Sequence, residues 1–226
     1  MAWRIVEFII FYMVVKLFYY QLQNTVIMVK REYPRLTQAQ LESMVLHPAA
    51  QGRTLALYCN GEFIWQNAML DYTKWDERKP RARQLVANAI AGASVLEIGC
   101  GREGGFAKKF RSLGAIDYVG IDVCERYVAE SQEQVPDERY VWAEPIQFLR
   151  SRQFPAIVSC MVIDLTYFGG SRYAAELAAQ IAASTTPGGY TIHVGQMLEG
   201  EFREGLVRNG IELQFEDSMC IIGQKK

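Results

Sequence analysis

Two carboxylates and a group of glycines mark the part of the chain best suited to hold a small ligand. Glu97 lies two residues before Gly99, at the end of an apolar run, and Gly101 and Gly104 follow in the same turn. A strand that enters a glycine turn and continues into a helix forms a ligand cradle in α/β proteins, because backbone without a Cβ lets a ligand approach closely. Asp122 ends the next apolar run, where a carboxylate can accept hydrogen bonds from ribose hydroxyls. The pattern predicts a site for a nucleoside whose cationic group lies near Glu97.

The elements that must position these residues follow the pattern of an open α/β sheet. Continuous apolar runs predict strands buried on both faces, and runs with helical periodicity lie between them. Strands are predicted at residues 95–98, 118–122, 140–142 and 156–162 and from residue 190, and helices at 81–90, 173–183 and 199–208 and from about residue 124. The last two apolar runs, 211–215 and 219–222, are so close in sequence that they can pair directly only as an antiparallel hairpin.

The stretch Glu97-Ile98-Gly99-Cys100-Gly101 resembles the glycine turn of the class I S-adenosylmethionine-dependent methyltransferases. The Pro187-Gly188-Gly189 turn before the fifth strand and the closing hairpin are also typical of that family, so the resemblance covers residues 80–226. It implies a doubly wound, mostly parallel seven-stranded α/β sheet with an antiparallel C-terminal hairpin. It also implies S-adenosyl-L-methionine as the cofactor and methyl transfer to an O, N or C atom of a small-molecule acceptor. The chain departs from the family at Glu103, which stands where a third glycine is common, and Gly104-Gly105 follow it.

The resemblance also assigns roles to side chains and glycines near three strand ends. The cofactor-binding candidates are Glu97, Gly99, Gly101, Gly104, Asp122 and Glu144. Glu97 would meet the cationic end of the cofactor, and the glycines would shape the pocket for its methionine part. Asp122 would hold the ribose hydroxyls; the alternative is a cap for the helix that follows. Glu144 would lie near the exocyclic amine of adenine; the alternative is an exposed charge at a helix start.

Two residues on the expected acceptor side are candidates for handling the acceptor's proton. Asp164 lies in the loop after the fourth strand, which faces the methyl group in the family, and His193 ends the fifth strand. A carboxylate whose pKa is raised by partial burial, or an imidazole, can act as a general base. The alternatives are a solvated or capping carboxylate at Asp164 and a hydrogen-bonded structural imidazole at His193.

Two other enzyme classes and one non-enzymatic class fit parts of the same pattern. Gly99-x-Gly101-x-x-Gly104 followed by Asp122 also satisfies the dinucleotide fingerprint, which would indicate an NAD(P)-binding oxidoreductase. A hairpin ahead of a glycine turn is the order found in spermidine-synthase-like aminopropyltransferases. A membrane- or partner-binding protein with a vestigial pocket is the third alternative. The C-terminal hairpin favours the methyltransferase, because a dinucleotide-binding half keeps repeating parallel crossovers.

Composition narrows the classes of partner. The formal net charge is −1, so the chain has no basic surplus of the kind that binds nucleic acid. The five cysteines and two histidines show no metal-ligand spacing, and no metal site is expected. An odd number of cysteines without a paired pattern favours a reducing compartment, and we expect a cytoplasmic protein.

Residues 1–79 lie outside the resemblance and are expected to form a helical segment and a β-hairpin that act as a lid on the domain of residues 80–226. The hairpin is predicted around Asn60-Gly61, a dipeptide that favours a type I′ turn. The first thirty residues predict an apolar, aromatic-rich helix, but Lys16 and nearby polar residues make it a poor membrane span. Three covers for this helix remain open: the domain itself, a second copy in a homodimer, and a membrane surface bound through residues 1–22.

Deleting residues 1–22 distinguishes these covers. Residues 8–20 are apolar almost all round, which favours burial between protein surfaces, because a helix on a lipid surface keeps one polar face. We therefore expect the truncated protein to aggregate or to bind acceptor more weakly while still binding cofactor, as measured by size-exclusion chromatography and ligand titration. A truncated protein that stays soluble and active but no longer sediments with lipid vesicles, when the full chain does, would instead make the segment a surface anchor.

Overall fold

The computed structural model describes residues 79–102, 104–160, 171–194, 200–217 and 220–226. The helices are α1 (Pro80–Ile90), α2 (Ala107–Ser112), α3 (Glu125–Gln134), α4 (Pro145–Leu149), α5 (Ser171–Ser184) and α6 (Glu201–Arg208). The strands are β1 (Ser94–Ile98), β2 (Asp117–Asp122), β3 (Arg139–Trp142), β4 (Phe154–Cys160), β5 (Thr185–Val194), β6 (Ile211–Asp217) and β7 (Cys220–Lys225). Helices and strands alternate up to β6, as the periodicity of the sequence predicts.

The strands of this part of the chain form one sheet in the order β3-β2-β1-β4-β5-β7-β6. β1 to β5 are parallel, whereas β7 runs antiparallel to both β5 and β6. The mostly parallel seven-stranded sheet and its C-terminal hairpin, both predicted from the sequence, are confirmed. The strand order reverses between β1 and β4, and open α/β sheets bind ligands at such a point, outside the carboxyl ends of the strands. The fold therefore places the glycine turn after β1 at the expected ligand crevice.

Helices cover both faces of the sheet, and the residues of each strand alternate between two cores. α1, α2 and α3 cover the face to which Val95 and Phe110 contribute. α4, α5 and α6 cover the other face, to which Leu96 and Ile157 contribute. The parallel strands are apolar on both sides because both sides are buried. The same alternation places Glu97 on the face of Val95, beneath α2 and α3.

The Pro187-Gly188-Gly189 segment, predicted as a turn ahead of the fifth strand, lies inside β5 as a bulge. The pairing of β5 with β4 jumps from Thr185 to Tyr190, so the residues between them have no regular partners. A Cβ on Gly189 would lie 2.7 Å from the carbonyl oxygen of Pro155, which explains the glycine at this crowded point. The strand therefore starts earlier than the sequence predicts, because the glycines serve the bulge and not the strand entry.

Several predicted features lie outside the described residues. They are the apolar N-terminal helix, the hairpin around Asn60-Gly61, the domain boundary after residue 79, and Asp164, and all of these stay predictions. Within the described ranges, no helix is long and apolar enough to cross a membrane. The same ranges contain no group of acidic, cysteine and histidine side chains that could hold a metal ion.

Gly205 sets how closely α6 packs against α5. A Cβ at this position would lie 2.8 Å from the Cβ of Ala178, closer than packed carbon atoms tolerate. Gly205→Val should therefore lower the free energy of unfolding by about 1–3 kcal/mol through overpacking, measured by urea unfolding. Val207→Ala on the same helix is the control, because Val207 is 44% exposed and its loss should cost less than about 0.5 kcal/mol. Equal unfolding midpoints for the parent and Gly205→Val would contradict the tight packing.

Candidate functional site

Three buried carboxylates lie at one edge of the sheet, at the ends of three neighbouring parallel strands. Glu97 is near the end of β1, Asp122 ends β2 and Glu144 follows β3, with exposed fractions of 1%, 2% and 4%. The carboxyl ends of parallel strands share one edge, so these groups occupy the side of the sheet where ligands bind. Burying an acidic group is costly unless it is hydrogen-bonded. The partners of each carboxylate therefore show what this edge can do.

Glu97 connects the end of the glycine turn to β2. Its Oε2 atom accepts hydrogen bonds from the hydroxyl of Tyr118 at 2.6 Å and from the backbone N–H of Phe106 at 2.9 Å. Burial raises the pKa of Glu97 to about 7, although both hydrogen bonds favour the ionised form. Gly105 leaves room for the carboxylate, because a Cβ there would collide with Oε2. Glu97 is thus harder to ionise than an ordinary carboxyl group, and a cation beside it would favour the charged form.

The glycine turn is open at one position and packed at another. Gly99, Gly101 and Gly104 all have positive φ angles, of 74°, 66° and 78°. A Cβ on Gly101 would have no atom of the described residues within 4 Å, so these residues leave the backbone open to a ligand there. A Cβ on Gly104 would lie 2.5 Å from Val135 and 2.9 Å from the hydroxyl of Tyr140. Gly101 therefore has the geometry of a cradle, whereas Gly104 lets the turn pack against protein.

Asp122 holds backbone N–H groups with both of its oxygens. Oδ2 accepts from the N–H of Gly101 at 3.0 Å, and Oδ1 accepts from the N–H of Cys124 at 2.9 Å. α3 begins at Glu125 and its N-cap residue is Cys124, so Asp122 braces the helix start from two residues upstream. An ionised carboxylate offers about four acceptor positions, which leaves acceptor capacity for ribose hydroxyls. The predicted ribose contact is compatible with the geometry and stays a prediction.

Glu144 is both a helix cap and a partner of α5. Its Oε2 accepts from the N–H of Gln147 at 2.7 Å, which caps α4, and Pro145 occupies the first helical position. Its Oε1 accepts from the hydroxyl of Tyr173 at 2.5 Å. The alternative prediction placed Glu144 as an exposed charge at a helix start. Glu144 does lie at the start of α4, but it is buried. The predicted contact with adenine stays a prediction.

His193 lies in the core between β5 and α6. Its ring is fully buried, its Nδ1 is hydrogen-bonded to Ser159 Oγ at 2.7 Å, and its ring meets that of Phe202 edge-on at 4.9 Å. Burial lowers the pKa of His193 to about 3, so the imidazole is neutral at physiological pH. Its Nε2 is buried without a hydrogen-bond partner among the described residues. These contacts match the structural alternative, and the proton-handling roles predicted for His193 and Asp164 stay predictions.

A sequence family described as a methyltransferase domain matches residues 96–193, which run from β1 to β5. The matched segment contains the glycine turn and all three buried carboxylates, and it ends in β5, before α6 and the antiparallel hairpin. This match and the sheet topology support the class I S-adenosylmethionine-dependent methyltransferase family that the glycine turn resembles. A comparison with curated protein sequences finds no match.

Solved methyltransferases share the fold of this methyltransferase at low sequence identity. A magnesium protoporphyrin IX methyltransferase from Synechocystis, solved with bound S-adenosylmethionine, is 17% identical with a TM-score of 0.54, and the match covers 75% of this chain and 88% of that one. An amino pentose methyltransferase from Micromonospora echinaspora is 13% identical with a TM-score of 0.54, covering 73% and 98%. DesVI from Streptomyces venezuelae is 15% identical with a TM-score of 0.52, covering 73% and 100%. These similarities support the fold and do not identify a substrate.

Several side chains that hold the site of this methyltransferase are missed by motif analysis. They are Tyr118 on β2, Ser131 on α3, Tyr140 on β3 and Tyr173 on α5. Only α3 gives a signal in its sequence, because Glu130 and Ser131 share the buried stripe of Tyr127. Polar residues on the buried side of a helix need partners elsewhere in the fold. The tyrosines give no such signal, since an aromatic residue in a strand is ordinary core composition.

Replacing Glu97 by Gln tests the raised pKa. Between the unfolded value of 4.5 and the folded value of about 7, the folded state binds the proton more tightly than the unfolded state. Glu97 therefore contributes stability that is fully present below pH 4.5 and is lost as pH rises through 7. We expect the stability of the parent to fall between pH 5 and pH 8, relative to Glu97→Gln, by an amount on the order of 2 kcal/mol.

Urea unfolding at the two pH values measures this difference, because every other titrating group is common to both proteins. Gln can accept from Tyr118 and Phe106 but does not ionise in this range, so it preserves the packing while removing the titration. Parallel pH dependence in the two proteins would mean that the Glu97 carboxyl has an ordinary pKa.

Proposed function

We propose that this protein transfers a methyl group from S-adenosylmethionine to a small-molecule acceptor. The observation that carries the proposal is the row of three buried carboxylates, Glu97, Asp122 and Glu144, beside the open backbone of Gly101. The cofactor has cations at its methionine end, hydroxyl donors on its ribose and an amine on its adenine. On this proposal each of these groups would meet one acidic side chain: Glu97 on β1, Asp122 on β2 and Glu144 just after β3.

The order of the strands gives each carboxylate a separate part of the cofactor. Glu97 on β1 is nearest the reversal of strand order and would lie at the cationic methionine end. Asp122 on β2 would accept from the ribose hydroxyls, and Glu144 beyond β3 would accept from the adenine amine. The open face of Gly101 lies between Glu97 and Asp122 along the chain and is tied to Asp122 by its N–H. The residues present therefore fit the group that the family uses.

The main task of the protein in methyl transfer is to orient the cofactor and the acceptor relative to each other. S-adenosylmethionine supplies an electrophilic methyl group, and the C–S bond breaks as the acceptor's lone pair forms the new bond, leaving S-adenosylhomocysteine. Holding two reactants in line can lower a barrier by about 7–11 kcal/mol. An acceptor that loses a proton needs a base nearby. Asp164 suits that role better than His193, because the buried imidazole resists protonation.

We further propose that the acceptor is a small molecule. The names of two structural neighbours state small-molecule substrates, a magnesium porphyrin and an amino pentose. The net charge of −1 gives no support for a nucleic-acid acceptor. We also propose a cytoplasmic location. Residues 1–22 would act as a lid, form a dimer contact or bind a membrane surface.

The antiparallel β7 favours methyl transfer over hydride transfer. The dinucleotide-binding fold continues its sheet as parallel strands in the order 3-2-1-4-5-6. Here β7 is inserted between β5 and β6 and runs against both. An oxidoreductase would instead show quenching or enhancement of reduced dinucleotide fluorescence on titration with the protein.

Calorimetric titration with S-adenosylhomocysteine tests the proposal. We expect the parent to bind, and Asp122→Ala to bind more weakly by about 1–3 kcal/mol, because it loses an acceptor for buried hydroxyls and the brace on Gly101. Asp117→Ala is the matched control: Asp117 is an exposed carboxylate at the opposite end of β2, hydrogen-bonded to Ser94 Oγ at 3.0 Å. It should bind like the parent.

Two results would count against the proposal. Absence of binding by the parent at millimolar ligand would remove the cofactor assignment. Equal affinity of the parent and Asp122→Ala would mean that Asp122 neither holds the ribose nor supports binding through Gly101, and serves only to cap α3.

A further inference from the structure

Four backbone groups of the glycine turn are held by side chains from three different elements. The N–H of Gly101 donates to Asp122 of β2 at 3.0 Å, and the carbonyl of Gly104 accepts from the hydroxyl of Tyr140 of β3 at 2.9 Å. The other two groups share one partner on α3. The hydroxyl of Ser131 donates to the carbonyl of Gly101 at 2.8 Å and accepts from the N–H of Gly104 at 3.0 Å. Ser131 therefore bridges the two glycines across the turn.

The neighbouring residue on α3 holds the same turn from outside. Glu130 forms two salt bridges. Its Oε2 lies 2.6 Å from Nε of Arg102, the residue after Gly101, and its Oε1 lies 2.9 Å from Nε of Arg126. The Glu130 side chain is only 9% exposed, so it is a buried charge between two cations. Two consecutive residues of one helix thus contact the turn at Gly101, Arg102 and Gly104.

We propose that Ser131 is a positioning residue that holds the glycine turn in the conformation that binds cofactor, an inference that rests on the proposed function. Gly101 and Gly104 are both at positive φ, and glycine has the widest choice of backbone conformations. A turn built from such residues needs external bonds to stay in one conformation. The hydroxyl of Ser131 supplies two of them from a side chain that is fully buried. It acts through the turn and is not expected to touch the ligand.

The two non-glycine residues between Gly101 and Gly104 make this brace more important. Where the family commonly has a third glycine, this chain has Glu103, and its next glycine packs against Val135 and Tyr140. The turn is therefore open at Gly101 and packed against protein at Gly104. The Ser131 bridge fixes that region relative to the packed part at Gly104.

The effect of Ser131 on ligand affinity depends on the fraction of molecules whose glycine turn has the binding conformation. When only a fraction of molecules has the binding conformation, the apparent dissociation constant rises by the inverse of that fraction. Ser131→Ala removes both bonds without adding volume, and we expect it to raise the dissociation constant for S-adenosylhomocysteine about tenfold. Hydrogen exchange in a peptide covering residues 99–105 should also become faster in the ligand-free protein, because the N–H of Gly104 loses its acceptor.

Ser184→Ala is the matched control. Ser184 is also a buried serine near the end of a helix, and its hydroxyl donates to the carbonyl of Leu149 at 2.9 Å and accepts from the side chain of Gln180 at 3.1 Å. Like Ser131, it donates one hydrogen bond to a backbone carbonyl and accepts one, but its accepted bond comes from a side chain and it lies on the opposite face of the sheet. We expect similar losses of thermal stability in the two variants, but weaker ligand binding and faster exchange of residues 99–105 only in Ser131→Ala.

The outcomes separate this inference from the proposed function. If the parent binds S-adenosylhomocysteine and Ser131→Ala binds equally well, the positioning role is wrong and the proposed function stands. If Ser184→Ala weakens binding as much as Ser131→Ala, the effect is general destabilisation and the positioning role is again wrong. If exchange of residues 99–105 is unchanged in Ser131→Ala, the bridge does not hold the turn, whatever the ligand result. If the parent does not bind, the proposed function fails and this inference fails with it.

Discussion

An acidic side chain buried beside a glycine turn needs hydrogen-bond donors within reach, and the surroundings of Glu97 show what that requires of the chain. Tyr118 reaches the carboxylate from the next strand. Its ring fits because Gly120 has no side chain: a Cβ there would lie 2.9 Å from the Tyr118 hydroxyl and 2.8 Å from the ring of Tyr140. Gly105 is required for the same reason, since it adjoins Oε2 of Glu97. One carboxylate therefore dictates residue types on β2 and in the turn.

The three carboxylates of the edge share a second task, which connects binding to folding. Glu97 accepts from the N–H of Phe106, the N-cap residue of α2, and Asp122 accepts from that of Cys124, the N-cap residue of α3; Glu144 itself caps α4. Negative charge is favourable at helix N-termini because of the helix dipole. The three carboxylates proposed to bind the cofactor are thus the groups that fix the start of the following helix. Loss of any of them is expected to affect both stability and affinity.

The sequence allowed the strands, most helices and the C-terminal hairpin to be predicted because each depends on local periodicity or on a short connection. It also allowed Glu97 and Asp122 to be placed at the crevice, since the end of a parallel strand is a local feature. The contacts of these carboxylates could not be predicted in the same way. Tyr118 lies 21 residues after Glu97, and Ser131 lies 30 residues after Gly101. These contacts come from the next strand and the helix after it, and the pattern of a single element does not report them.

The structure also differs from the sequence-based predictions at Glu144 and at Pro187-Gly188-Gly189, and both differences come from long-range packing. Glu144 is hydrogen-bonded to Tyr173 of α5, which lies 29 residues later in the chain, after β4. The bulge in β5 depends on the proximity of Pro155, and the Pro187-Gly188-Gly189 sequence alone reads equally well as a turn. In both cases the residue types were recognised correctly, whereas the neighbours that decide their environment are set by the assembled sheet.

The reversal of strand order between β1 and β4 also means that the two walls of the crevice differ in their loop-closure cost. Ser94 of β1 pairs with Asp117 of β2, a short distance along the chain, whereas Val95 pairs with Ala156 of β4, much farther along. The entropy lost in closing a loop grows with its length, so the pairing that forms the crevice has the greater closure cost of the two. The half that carries Glu97, Asp122 and the glycine turn is connected by local contacts, and the opposite wall joins it only through the long closure. The glycine turn after β1 therefore lies between a strand pairing of low closure cost and one of higher closure cost.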